Sequence, residues 1–282
     1  MDKRLSLETR IGVELKSYDG TMGIYINDLQ GNVIAINADE KFETASTVKV
    51  YILAALFDAI EKGKASLSDM LEYKKEHEID GSGVMNSLEI GTVLSVKNIA
   101  TLMIIVSDNI ATNILIDYLG VDNINACIQA LGCKDTILHN PIDFEKYDML
   151  GTSTPRDYAS MFERMAQGTL ISPEASAQML AICKQQHYNS MLTKSIPAYY
   201  LDPDNFDDGE IIYVASKSGS MNACRNDGGI ISTPYGKYVI VLFNKEFSDA
   251  MYYPEHPATV FGSKVSRLVF DQYLALEGKL AL

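Results

Sequence analysis

The chain has 282 residues, 47% of them hydrophobic and 22% charged, with a formal net charge of −13. That length supports one large domain or two interleaved ones around a sizeable core. The acidic balance excludes a nucleic-acid or anionic-membrane partner, since both need a basic footprint.

In chain order, the first pattern is "TMGIYINDLQGNVIAINAD", two alternating runs joined at Leu29-Gln30-Gly31-Asn32, a hairpin by its turn residues. "FETASTVKVYILAALF" then reads as a loop running into a helix. Thr44 and Ser46 suit its start, and Val50, Leu53, Ala54 and Phe57 recur at helical spacing. Ser46 and Lys49 fall on its first turn, three apart and on one face. A lysine facing inward beside a serine is poor design for stability, so the pair asks for a chemical reason.

Helical signals dominate from about 45 to 185. Ser95 caps the run "VKNIATLMIIVSDNIATNILIDYLG", which ends at Gly120. Thr154-Pro155 opens another helix that Gly168 stops, and Ser172-Pro173 repeats the opening. Strands return from about 211 in "EIIYVASKSGS", "GGIISTPYG" and "KYVIVLFNK". A last amphipathic helix is predicted over about 257–276, with Val260, Val265, Leu268, Val269, Tyr273 and Leu274 on its apolar side.

Strands at both ends and helices between predict an α+β, two-lobed fold. Residues 1–40 and 186–282 supply an antiparallel sheet flanked by helices, and 41–185 form an inserted all-helical lobe. Ligand sites favour such seams. No stretch approaches 18 uninterrupted apolar residues, so no membrane-spanning helix is expected. The N-terminus lacks the apolar core of a secretory signal, which predicts a cytoplasmic protein unless a leader has been removed. Cys127, Cys133, Cys183 and Cys224 form no CxxC pair and suggest a reducing compartment. His77, His139, His187 and His256 show no ligand spacing, so neither metal nor cofactor is expected. "DGSG" at Asp80–Gly83 reads as a turn, and Tyr199-Tyr200 as a loop pair that could overhang a cleft.

Three short motifs would face the seam: Ser46-Thr47-Val48-Lys49, Ser107-Asp108-Asn109 and Lys217-Ser218-Gly219. Each alone has an ordinary explanation: Ser46 as a helix cap, Asn109 as a turn former, Lys217 as a solvated strand charge. Together and in this order they resemble the class A β-lactamases and the wider penicillin-recognising serine hydrolases. The flanking "TASTVKV", "MIIVSDNIATNILI", "TSTPRDYA" and "ASKSGS" look alike too, and the resemblance covers nearly the whole chain. It implies a β-lactamase/transpeptidase-like fold, a monomer, and a small β-lactam or acyl-amide or ester substrate. By resemblance Ser46 is the nucleophile, Lys49 its base and Ser107 the proton relay to the leaving nitrogen. Asn109 holds the substrate's side-chain amide, Lys217 and Ser218 its carboxylate, and the N–H groups of Ser46 and Ser220 the oxyanion, beside Gly219. A helix N-terminus and Lys217 would both lower the Lys49 pKa. Arg225 is either a second cation for the carboxylate or a surface residue paired with Asp227.

The sequence departs from the family at one place. Fast class A enzymes carry a water-activating glutamate with an asparagine four residues later, before the "TSTP" segment. Here the region reads "KDTILHNPIDFEKYDMLGTSTPRD", with Met149 four after Glu145. Asp143, Glu145 and Asp148 are the candidates for a relocated base, or all three are solvated carboxylates. Without such a base, acylation proceeds while hydrolysis stalls. The leading reading is therefore a β-lactamase-like serine hydrolase, its deacylation slow if no carboxylate replaces that glutamate. A D-amino-acid peptidase or esterase is its rival, and a penicillin-binding sensor module ranks third.

Overall fold

The computed structural model describes residues 5–188, 190–202, 204 and 212–280. Most of the acidic stretch over 202–210 and the first residue of the strand run at 211 lie outside them.

The chain opens with α1 (Leu7–Glu14), which the alternation pattern does not predict. Ser6 caps it, and only Leu7 and Ile11 are buried. So thin an apolar stripe is visible only against its partner, the last helix. The hairpin β1 (Thr21–Asn27) and β2 (Val33–Ile36) follows as expected. After β3 (Phe42–Glu43), a 3-10 turn over Ala45–Val48 feeds α2 (Lys49–Glu61), so Ser46 lies on the turn before the helix.

The ladder of β4 (Met70–Glu72) and β5 (Val93–Ser95) leads into α3 (Val96–Ile105), capped by Ser95. The run towards Gly120 is two helices, broken at Val106-Ser107-Asp108, with α4 (Asn109–Leu119) restarting on the Asp108 cap. Then come α5 (Val121–Ala130), β6 (Ile137–Leu138) and β7 (Gly151–Ser153), which joins β3 and β6 in a small sheet. The helices α6 (Pro155–Ala166) and α7 (Pro173–Cys183) begin where Thr154-Pro155 and Ser172-Pro173 place them. The hydroxyls of Thr154 and Ser172 each accept an N–H three residues on, at 3.1 Å. After the short α8 (Ala198–Leu201) come β8 (Tyr213–Ser216), β9 (Gly219–Met221), β10 (Cys224–Thr233), β11 (Gly236–Lys245) and α9 (Pro257–Ala275).

The main sheet runs β2-β1-β11-β10-β8, all antiparallel, with β9 paired to the start of β10. Strands from the two chain ends meet at its centre, where Ile24 faces Leu242 and Tyr25 faces Val241. Because successive side chains alternate faces, the sheet separates two cores. Tyr25, Val239, Val241 and Phe243 join the core of α2 to α7, while Ile24, Ile26, Ile240 and Leu242 pack with α1 and α9. Leu53 and Ala100 are core side chains, and all four cysteines are free thiols. No described helix is long and apolar enough to cross a membrane.

Candidate active site

The 3-10 turn that carries Ser46 is held in an unusual shape. Ala45 has φ 44°, a left-handed value that an L-residue adopts only when its surroundings impose it. The constraint comes from Glu43, whose carboxylate accepts the N–H groups of Ala45 at 3.1 Å and Leu150 at 3.0 Å. Burial raises the Glu43 pKa against those N–H groups, and its second oxygen is buried with no hydrogen-bond partner. Against the other side of the turn lies Gly219 of β9. A Cβ there would sit 2.7 Å from the Ser46 and Thr47 nitrogens and 2.8 Å from the Thr44 carbonyl. Only a residue without a side chain lets this strand reach the serine's N–H.

The break between α3 and α4 is built the same way. Ser107 has φ 53°, and Asp108 behind it accepts N–H bonds from Val84 (2.7 Å), Met85 (2.8 Å) and Ala111 (2.9 Å). The glycines of "DGSG" make the approach possible. Gly81 and Gly83 have φ of +103° and +122°, and a Cβ on Gly83 would lie 2.3 Å from the Asp108 carboxylate. The loop thereby seats Ser82, whose hydroxyl donates to the Ser107 carbonyl at 2.7 Å. The Asn109 amide donates to the Asp80 carbonyl at 3.0 Å.

Two lysines converge on this seam, both wholly buried. Lys49 Nζ donates to the Ser107 carbonyl (2.6 Å), the Ser107 hydroxyl (3.0 Å) and Asn109 Oδ1 (2.8 Å). Burial first, and then the charge of Lys217, pull its pKa well below the ordinary lysine value, with Asp108 opposing. Lys217 donates to the Ser218 carbonyl at 2.6 Å. Burial lowers it to about 7 against the pull of Asp227. Asp227, buried alongside, is raised to about 6 by desolvation, opposed by the Leu192 N–H and Lys217. An amine disfavoured as a cation, bonded to one hydroxyl and a turn from another, can take and pass a proton once it has given up its own.

These elements enclose a cavity of about 400 Å³ lined by Ser46, Ser107, Asn109, Ser218, Gly219 and Ser220, with Lys49 and Lys217 behind its wall. Glu145 and Arg225 are not brought to it. Glu145 is exposed, its N–H turned to the Asp143 carboxylate. The loop lends the cavity Ile142, Phe144 and Leu150 instead, while Asp143 pairs with Lys146 at 3.0 Å and Asp148 is exposed.

Arg225 is buried and not paired with Asp227. Its guanidinium donates to the carbonyls of Met221, Cys224 (2.8 Å), Ala250 (3.1 Å) and Met251 (2.9 Å), with the Phe247 and Tyr252 rings each 5.4 Å away. It braces the β9–β10 turn and the segment bearing Tyr252, itself a cavity wall. Tyr200 packs on Phe270, and neither Tyr199 nor Tyr200 lines the cavity.

Ser82, Tyr188, Ser190, Met221 and Tyr252 line the cavity without having been singled out by any motif. The alternating glycines around Ser82 were its available signal, a loop forced to turn left-handed twice. Among the described residues no cluster of three His, Cys, Asp or Glu side chains could hold a metal ion.

Comparison with known proteins fits this geometry. The chain is similar to the β-lactamase SME-1 of Serratia marcescens, 22% identical over 57% of this chain and 57% of that protein. The alignment thus spans little more than half the length of that relative, and 54% of a β-lactamase from Amycolatopsis lactamdurans at 26% identity. Among solved structures it superposes on a β-lactamase from Sphaerobacter thermophilus with a TM-score of 0.82 and 28% identity, covering 96% of this chain and 97% of that one. PBP-A, with a TM-score of 0.81 and 27% identity, covers 95% of this chain with 96% of its own; a mutant of it was solved as an acyl-enzyme complex with penicillin G. The β-lactamase/transpeptidase-like fold is therefore that of this chain, and a family model matching residues 6–273 agrees with it from the sequence: the chain belongs to the Beta-lactamase enzyme family.

Proposed function

We propose that the cavity is the active site of a serine hydrolase that opens β-lactam amides through an acyl-enzyme on Ser46, and that it loses the acyl group slowly. The observation that carries the reading is Lys49: an amine wholly buried, disfavoured as a cation and bonded to Ser107, on a helix that starts one turn after Ser46. Lys49 takes the Ser46 proton as its oxygen attacks the carbonyl carbon. When the C–N bond breaks, Ser107 gives its proton to the leaving nitrogen and recovers one from Lys49, so protons balance. Backbone N–H groups of Ser46 and Ser220 stabilise the oxyanion, each such donor being worth about 100- to 1,000-fold in rate. Lys217 and Ser218 hold a substrate carboxylate.

Slow release is supported by the lining itself, which contains no carboxylate among the described residues. A missing general base costs roughly 100- to 10,000-fold. Intact-mass spectrometry after mixing with benzylpenicillin is expected to show one adduct that persists for hours and is absent in Ser46→Ala. Glu145→Gln is expected to leave its lifetime unchanged, because that side chain faces solvent; a lengthened lifetime would restore Glu145 to the mechanism. A second reading, an esterase or D-amino-acid peptidase acting on a non-β-lactam acyl group, is favoured by the same lining. Turnover of p-nitrophenyl esters or D-Ala-D-Ala peptides without any penicillin adduct would select it.

The two lysines also predict a pH profile. Lys49 acts as the neutral amine, so acylation rises as pH climbs through its lowered pKa. Lys217 binds a carboxylate only as a cation, so kcat/KM for an anionic substrate falls as pH rises through about 7. A penicillin should therefore give a bell-shaped profile and a neutral ester only the rising limb. Second-order acylation rates from about pH 5 to 9 check this; a falling limb at about 7 shared by the neutral ester would remove Lys217 from carboxylate binding.

A further inference from the structure

Beyond the wall formed by Tyr188, Ser190, Ser220 and Tyr252, which face both spaces, lies a second chamber of about 310 Å³. It continues the cleft of Ser46, and its size alone would house a separate group of a ligand. A bicyclic β-lactam core does not need both.

The charge pattern says what that group is. The chain carries a net −13, yet among the described residues no carboxylate lines either chamber. The lining of the second chamber includes Lys194 and His187. Lys194 donates to the Pro254 carbonyl, which is also part of the wall. An ammonium has three donors, so that bond orients the side chain without exhausting it. Among the described residues Lys194 is the only Lys or Arg in the wall of this aromatic recess, and Asp249, which accepts the hydroxyl of the wall residue Tyr253 at 2.7 Å, does not line it, so the charge facing the recess is positive.

We propose that the second chamber is a subsite for an anionic group at the far end of an elongated acyl ligand, with Lys194 as its counter-charge. The carboxylate it takes is separate from the one assigned to Lys217 and Ser218. The proposal deepens the acyl-transfer reading by naming a substrate class: a peptide-like chain with a second acid remote from the scissile bond.

Binding tests it without relying on turnover. The chain has no tryptophan, so calorimetry is the suitable readout. The probes are acetylated tripeptide acids, N-methylated at their internal amides, identical except for glutamate or glutamine, placed at each end in turn. For one placement the intact protein should bind the glutamate member about fivefold more tightly, the upper range for an exposed ion pair. That preference should shrink with added salt, vanish in Lys194→Gln and reverse in Lys194→Glu. Lys194 is exposed, so neither variant threatens folding.

Failure to distinguish the pair, failure to bind either peptide, or a preference untouched by both variants would overturn the proposal. The underlying reading fails separately. If benzylpenicillin leaves no adduct on Ser46 while the Lys194-dependent preference holds, the chamber stands and the β-lactam reading falls.

Discussion

Replacing Lys49 by methionine is expected to abolish acylation while leaving the protein folded and slightly more heat-resistant. The activity loss follows from the chemistry. A serine hydroxyl without a nearby base is a weak nucleophile, and removing a positioned base costs about 100- to 10,000-fold. The stability gain follows from the burial. Lys49 is wholly buried with its pKa well below the ordinary value, so folding strips a proton that the unfolded chain keeps. The sign is clear: between the lowered folded pKa and the ordinary value of 10.5, the unfolded state binds more protons, and stability rises with pH. Below that window the cost is at its largest, and above it the cost is gone.

Methionine carries no such cost at any pH. Two of the acceptors it would abandon, the Ser107 carbonyl and Asn109 Oδ1, remain within 2.7 and 3.3 Å of the Ser82 hydroxyl. The variant should therefore melt higher than the parent near neutral pH, at about 2–4 °C per kcal/mol regained, and the gap should close towards about pH 10.5. Thermal scans across that range, beside penicillin adduct formation by mass spectrometry, check both halves. A variant that melts several degrees lower would show that the amine chiefly holds α2 to the Ser107 break.

The second large effect is expected from one added methyl group. Gly219→Ala places a carbon 2.7 Å from the Ser46 and Thr47 nitrogens, closer than side-chain carbons stand in real structures. Those atoms are backbone, so no rotamer change relieves the contact. Either β9 or the 3-10 turn must move. Movement there separates the Ser46 N–H from the N–H of Ser220, one residue beyond Gly219, and dismantles the proposed oxyanion site. Acylation should drop about 100- to 1,000-fold with a near-native melting temperature, because β9 is a short strand paired only at the start of β10. The informative comparison is acylation by penicillin against far-ultraviolet circular dichroism and melting. Retention of full acylation would mean that the strand carries no donor for the reaction.

Both effects trace to how little of a residue's depth is written beside it. Where a boundary is set by groups a few residues apart, the sequence reads correctly. Thr154-Pro155 and Ser172-Pro173 start helices because hydroxyl and N–H lie within one turn. The β1–β2 hairpin follows from alternation and its turn residues. The order of the Ser46, Ser107 and Lys217 motifs is likewise legible, since chemistry restricts which residue types can stand there.

Other features belong to packing. The apolar run through Ile105 and Val106 gives no local reason to stop, yet Ser107 turns left-handed because Asp108 is claimed by the backbone of a loop more than twenty residues earlier. Glu145 and Glu43 are both glutamates in loop-like text. One ends exposed and the other buried against the turn that carries Ser46, because a carboxylate's depth is decided by which segments fold over it. Arg225 lies in the motif's neighbourhood, yet its two terminal nitrogens serve the carbonyls of its own turn and of the distant Ala250-Met251 segment. The family resemblance, the kinds of groups available and the helix ends that cap themselves are thus legible in the order of residues. Which charges lose their water is settled by long-range packing, and desolvation, a property of the whole surrounding fold, is what moves the lysine pKa values on which the proposed chemistry rests.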